Sequence, residues 1–185
     1  MEVKVKFTYE DYCHMPDDKR YELLEGDLVM APSPVTAHQR VCGKLEFLLR
    51  EFVLKNNLGE IFFAPFDVVL SQENVLQPDI LFISNERSHI VTEDNVQGAP
   101  DLVIEITSPA TLHRDREIKR KIYANHGVAE YWLADLDKQT IEVMELSEAG
   151  FKTTAVYTKG EKMQSPTLVG LSFDPRRYFS LIEGV

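Results

Sequence analysis

Between Val35 and about Asn57, the apolar residues Val41, Leu45, Leu48, Leu49 and Phe52 recur at spacings of three and four. That period predicts an amphipathic helix, with Asn57-Leu58-Gly59 as its stop. A shorter helix is predicted over about 113–126, with Ile118 and Ile122 as its apolar stripe and Gly127 ending it. Elsewhere the apolar residues alternate or run together, as strands require. "EIFFAPFDVVL" predicts one bent strand or two short ones, and "QPDILFIS", "DLVIEIT" and "EYWLADL" one each. "TIEVMEL" and "FKTTAVY" predict a hairpin. "FTYEDYCHMP" predicts a short helix capped by Thr8 and stopped near Pro16, and "RYELLEGDLVMAP" two strands about Gly26-Asp27. "DPRRYFSLI" closes the chain as a further short helix. Helix, strands, helix, strands is a mixed α/β order, and it predicts one central sheet with helices on its faces.

One strand breaks its own pattern. "GAPDLVIEITSPAT", residues 98–111, places Asp101 and Glu105 in an apolar run bounded by Gly98-Ala99-Pro100 and Ser108-Pro109. Alternation puts Asp101, Val103, Glu105 and Thr107 on one face, with Leu102, Ile104 and Ile106 on the other, toward the core. An ionised carboxylate in such a place is costly unless something pairs with it. Asp79 opens another apolar strand directly after Pro78. If the two strands lie side by side, Asp79 and Glu105 converge, and converging carboxylates raise each other's pKa unless a cation sits between them. Oxygen donors of this kind suit Mg²⁺ or Mn²⁺.

The following helix supplies positive charge. "RDREIKRKIY", residues 114–123, carries Arg114, Arg116, Lys119, Arg120 and Lys121 against Asp115 and Glu117. Asp115, Lys119 and Tyr123 stand at i, i+4 and i+8, on one helical face. Carboxylates, a divalent ion and a lysine can together polarise a phosphodiester, activate water and offset developing charge.

Composition narrows the field. The 185 residues, 44% hydrophobic and 27% charged, fit one globular domain, 1–185. A net charge of −10 offers no general attraction to nucleic acid or an anionic membrane, so either contact needs a local basic patch. Residues 1–12 lack the apolar core of a secretory signal, and no apolar run is long enough for a membrane span. Two cysteines, Cys13 and Cys42, without CxxC or zinc-like histidine spacing, suit a reducing compartment. A cytoplasmic location, with no membrane contact, is the expectation.

"QPDILFIS", "GAPDLVIEITSPAT", "DREIKRKIY" and "HGVAEYWLAD" together resemble the Uma-two family of restriction-endonuclease-like proteins, within the PD-(D/E)XK nuclease superfamily. The resemblance runs from "YELLEGDLVMAP" through "EYWLADL" and includes His38. It implies a restriction-endonuclease-like core and a Mg²⁺- or Mn²⁺-dependent endonuclease that hydrolyses phosphodiester bonds of nucleic acid, DNA before RNA. It also implies a homodimer, for which the hairpin at 139–157 is a candidate surface. Asp79 is then the PD aspartate and Glu105 the acid of the (D/E)XK element. Thr107 stands where that element would place its lysine, and Lys119 on the following helix is the matching position. The implied catalytic set is Asp79, Glu105 and Lys119, with Asp79, Glu105 and Asp101 as metal candidates, since Asp101 belongs to a second Pro-Asp pair. Glu22, His38 and Tyr123 are accessory candidates.

Plainer readings stand beside these. Glu105 could belong to a structural ion pair, Asp79 and Asp101 to turns, and Lys119 to a pair with Asp115 worth a few tenths of a kcal/mol. Arg114, Arg116, Arg120 and Lys121 read as a solvated helix face, His38 as a helix-opening polar residue, and Tyr123 and Trp132 as core. Ser108 has no His/Asp partner in sight, and there is no phosphate-binding glycine motif. Two other functions remain open: a nuclease fold that no longer cuts and serves as a binding module, and a metal-dependent hydrolase of a small phosphorylated substrate.

Overall fold

A computed structural model describes residues 5–16 and 19–179. Its elements, in chain order, are α1 (Tyr9–Cys13), β1 (Tyr21–Leu24), β2 (Asp27–Met30), α2 (Thr36–Asn56), β3 (Gly59–Phe63), β4 (Val68–Ser71), β5 (Asn74–Leu76) and β6 (Ile80–Ser84). After a short 3₁₀ turn (Asn85–Ile90) come β7 (Val96–Gln97) and β8 (Leu102–Thr107). A π-helical stretch (Arg114–Lys119) runs into α3 (Arg120–Asn125), followed by β9 (Glu130–Asp135), β10 (Thr140–Ser147) and β11 (Gly150–Tyr157). β12 (Met163–Gln164), β13 (Ser172–Phe173) and α4 (Arg176–Phe179) complete it. The end of the expected closing helix lies outside the described residues. None of the described helices is long and apolar enough to cross a membrane.

The mixed α/β class agrees with the expectation, but the strands divide between two main sheets rather than one. Six form a mixed sheet in the order β11-β10-β9-β8-β6-β3, in which only β8 and β9 run parallel. Five form a second sheet, β2-β1-β5-β4-β7. The apolar run "EIFFAPFDVVL" therefore yields two strands that belong to different sheets, β3 and β4, with the turn at Pro65 redirecting the chain. The strand β5 carried no sequence signal of its own, being three residues long.

Local chemistry accounts for the element ends. Thr8 accepts from the Asp11 N–H while the Asp11 carboxylate accepts from the Thr8 N–H, a reciprocal cap that opens α1. The hairpin turns on Glu25-Gly26, both at positive φ, one residue earlier than Gly26-Asp27. α2 spans 21 residues, about 30 Å, and ends at Asn57 in the left-handed conformation (φ 52°, ψ 47°). Gly59 is there for a second reason: a Cβ on it would lie 2.1 Å from the Ile83 carbonyl oxygen, so only glycine lets β3 pair with β6.

β8 is buried on both faces, which the alternation argument did not foresee. Leu102, Ile104 and Ile106 pack with Val41, Leu45, Leu49 and Val53 of α2, as expected. Val103 faces a second apolar cluster with Ile122, Tyr123 and Tyr131 under α3. Ile118 does not join it and is 37% exposed, because the π-helical stretch shifts the helical period before α3 begins. Glu105 shares the Val103 face, so its side chain leaves the sheet on the side where the π-helical stretch and α3 pack.

Candidate active site

Antiparallel pairing sets Ile80 of β6 opposite Ile104 of β8. One step further along that register, Asp79 stands opposite Glu105, so the two strands do lie side by side as the sequence required. Asp79 Oδ2 accepts from the Ile106 N–H at 2.7 Å, which ties it to the neighbouring strand. His38, in the first turns of α2, places Nε2 3.1 Å from the same oxygen. Since a carboxylate only accepts, Nε2–H is the donor there. His38 Nδ1 is buried without a partner among the described residues.

Lys119 is the centre of the arrangement. Its Nζ lies 2.8 Å from Glu22 Oε1, 2.9 Å from Glu105 Oε1 and 3.8 Å from Asp115 Oδ1. Glu22, Glu105, Asp115 and Lys119 are each only 3 to 4% exposed. The π-helical turn carries Asp115 and Lys119 inward together, and one turn later the Tyr123 hydroxyl donates to Glu105 Oε1 at 2.7 Å. Glu22 comes from β1 in the other sheet, and its Oε1 also accepts from the Gln77 N–H at 3.0 Å. The site thus lies where the two sheets meet, and it opens into a cavity of about 460 Å³. Of the residues expected to act, Asp79, Glu105, Lys119, Glu22 and His38 all line that cavity, and Tyr123 lies behind Glu105.

Asp101 does not belong to this group. Four residues before Glu105 on the strand, it stands about 13 Å away. Its Oδ2 accepts from the Ser84 N–H at 2.8 Å and its Oδ1 lies 3.7 Å from Arg87 Nη1. It holds the chain after β6 in place, so its expected role as a competing metal candidate is corrected: it sits at the wrong end of β8.

Charge is unbalanced at the site. The carboxylates of Glu22, Glu105 and Asp115 gather about the ammonium of Lys119, and Asp79 adds a further negative charge that acts on Glu105. Burial alone would lower the Lys119 pKa, but Glu105, Glu22 and Asp115 more than reverse this, and the lysine stays charged. Burial drives Glu105 well above the ordinary carboxylate range; Lys119 opposes that shift, while Asp115, Asp79 and Glu22 reinforce it. Asp115 is raised for the same first reason, with Lys119 again opposing.

The sign of the consequence follows from proton linkage. A carboxyl whose folded pKa is raised stabilises the fold most below its unfolded pKa, and that stabilisation is lost as pH rises through the folded value. As pH rises above the ordinary glutamate range of about 4.3, therefore, the wild-type chain is expected to lose stability relative to Glu105→Gln. Thermal melts of both proteins at rising pH check it; parallel curves would contradict the assigned burial of charge.

Sequence reasoning missed several neighbours. Asp115 was readable only as an i,i+4 partner of Lys119, nothing marked Gln77, and Arg114 reads in sequence as part of a solvated helix face; Gln77 and Arg114 both line the cavity. Cys42 lines it too, with its thiol 3.8 Å from the Asp79 carbonyl oxygen. Burial, then the nearby Asp79 and Glu46 carboxylates, push that thiol up to about 12. Cys13 is exposed. Iodoacetamide at about pH 8 is expected to label Cys13 and spare Cys42 until the protein is unfolded, as intact-mass counting of adducts would show.

Among the described residues, no group of three or more His, Cys, Asp or Glu side chains is arranged to hold a metal ion. The donor chemistry nevertheless fits Mg²⁺ or Mn²⁺. Asp79 and Glu105 offer oxygen ligands into one cavity, the surrounding carboxylates outnumber the cations, and Mg²⁺ is commonly held by one or two carboxylates with water and substrate phosphate completing its shell.

None of the curated proteins compared with the chain matches it. Among solved structures it is similar to a crystal structure from Anabaena variabilis ATCC 29413, described as "a putative nuclease belonging to DUF820". That likeness has a TM-score of 0.79 at 20% sequence identity, covering 94% of this chain and 97% of that one, and it establishes the shared fold. A family model matches residues 8–176, a span that takes in Glu22, His38, Asp79, Glu105, Lys119 and Tyr123. By that match, the chain belongs to the Uma2 family, described as "Putative restriction endonuclease".

Proposed function

We propose that the chain is a Mg²⁺- or Mn²⁺-dependent endonuclease that hydrolyses phosphodiester bonds of nucleic acid, DNA being the substrate to try first. The observation that carries this reading is the placement of Asp79 and Glu105 at facing positions of neighbouring strands, with Lys119 delivered to Glu105 from the next helical segment. Asp79 and Glu105 would hold the ion. When bound, such an ion supplies positive charge that polarises a phosphodiester and acidifies water.

The chain's own groups do the rest. The Ile106 N–H and His38 fix the Asp79 carboxylate from one side, leaving Oδ1 outside those two contacts. Tyr123 fixes Oε1 of Glu105. Lys119, held by Glu22 as well as Glu105, keeps its proton and can steady the negative charge that builds on the phosphate oxygens, or orient the attacking water. Glu22 therefore acts as an anchor for the lysine. A homodimer, with one site for each strand, is part of the same proposal.

One observation favours the non-cutting binding module instead: Lys119 already bridges Glu105 and Glu22, as a structural ion pair would. The two readings separate in one assay. Supercoiled plasmid incubated with the protein and Mg²⁺ or Mn²⁺ is expected to become nicked or linear, and chelation is expected to stop it. Metal binding without cleavage of DNA or RNA would favour the module.

A further inference from the structure

Carboxylates outnumber the basic side chains that line this cavity, and most of those cationic groups are already engaged. Lys119 is held by Glu22, Glu105 and Asp115, and His38 faces Asp79. Arg20 reaches the Pro32 carbonyl oxygen at 3.4 Å. Arg114 also lines the cavity and is half-buried, yet its guanidinium has no hydrogen bond or ion pair with any described residue. Two positions along, Arg116 behaves differently, with Nη2 2.6 Å from Glu142 Oε2.

An unpaired guanidinium on the wall of a cavity with a surplus of carboxylates has no structural partner to account for its placement. It is a good phosphate ligand: planar, permanently charged and able to give two parallel N–H bonds to phosphate oxygens. We infer that Arg114 is the substrate-binding residue of this cavity, contacting a backbone phosphate of the nucleic-acid strand and offsetting the acidic floor that would repel it. This inference rests on the nuclease reading for its ligand class. It deepens that reading by replacing the expectation that Arg114 belongs to a solvated helix face.

The test is fluorescence anisotropy with a labelled single-stranded oligodeoxynucleotide, in chelator, over a range of salt concentrations, for wild type, Arg114→Gln, Arg114→Lys and Arg116→Gln. Arg114→Gln is expected to weaken binding about tenfold and to reduce the salt slope by about one, with Arg114→Lys intermediate and Arg116→Gln like wild type. Equal affinity and slope for wild type and Arg114→Gln would overturn the inference, as would a wild type that does not bind the oligonucleotide. Circular dichroism of Arg114→Gln guards against a folding defect, and an unfolded variant passes the decision to Arg114→Lys. The two readings fail separately. Binding that depends on Arg114 in a protein that cuts nothing removes the nuclease and keeps the phosphate contact; cleavage with an unchanged KM in Arg114→Gln does the reverse.

Discussion

Asp79→Asn and Glu105→Gln are each expected to lower nucleic-acid cleavage by at least about 10³-fold while leaving the fold intact. The magnitude is that of removing a principal electrostatic group from a buried site. Each amide keeps the shape of the side chain it replaces. The Ile106 N–H can still donate to the amide oxygen in Asp79→Asn, and the Tyr123 hydroxyl to that in Glu105→Gln. Neither variant can offer a second charged oxygen to a cation. Quantified plasmid nicking at matched, circular-dichroism-checked protein concentrations reads the effect. Activity within tenfold of wild type in either variant would remove that residue from the proposed chemistry.

The second large effect is on stability. Lys119→Met is expected to cost about 3–5 kcal/mol and to abolish cleavage, because it leaves Glu22, Glu105 and Asp115 in a buried site without their shared ammonium. Some of that cost is recovered by protonating Glu105 and Asp115, both already raised, so the variant should be least unstable in acid. Denaturant titration at about pH 5 and about pH 8 measures both features. A loss below about 1 kcal/mol at the higher pH would mean that the lysine is not the counter-ion of the cluster.

These expectations depend on features that were unevenly legible in the sequence. Glu105 was legible because an apolar strand makes a carboxylate conspicuous, and Lys119 because it shares a helical face with Asp115 and Tyr123. The choice between Asp79 and Asp101 was not. Both follow a proline, and only the antiparallel register of β6 on β8 reveals that Asp79 meets Glu105 while Asp101 lies at the far end. Contacts between distant segments were equally hidden. Glu22 and Lys119 are brought together by the meeting of two sheets, and the break between β3 and β4 that separates those sheets lies inside one continuous apolar run.

Arg114 shows a different limit. Sequence presents it as one basic residue among five in a ten-residue stretch, and nothing there separates it from Arg116. The distinction arises from packing: Arg116 finds Glu142 on β10, whereas Arg114 lines the cavity without a partner among the described residues. The π-helical turn contributes to this. It turns Asp115 and Lys119 into the interior and leaves Ile118 partly exposed, a placement that an ordinary helical period over 113–126 did not predict.

The most direct test of the central claim needs no knowledge of the substrate. Mn²⁺ titrated calorimetrically into the wild-type protein is expected to bind at one site per chain, and that binding is expected to vanish in Asp79→Asn and in Glu105→Gln. Absence of binding in wild type, or binding unchanged in both variants, would contradict the account and leave Lys119 and its carboxylates as a structural ion cluster.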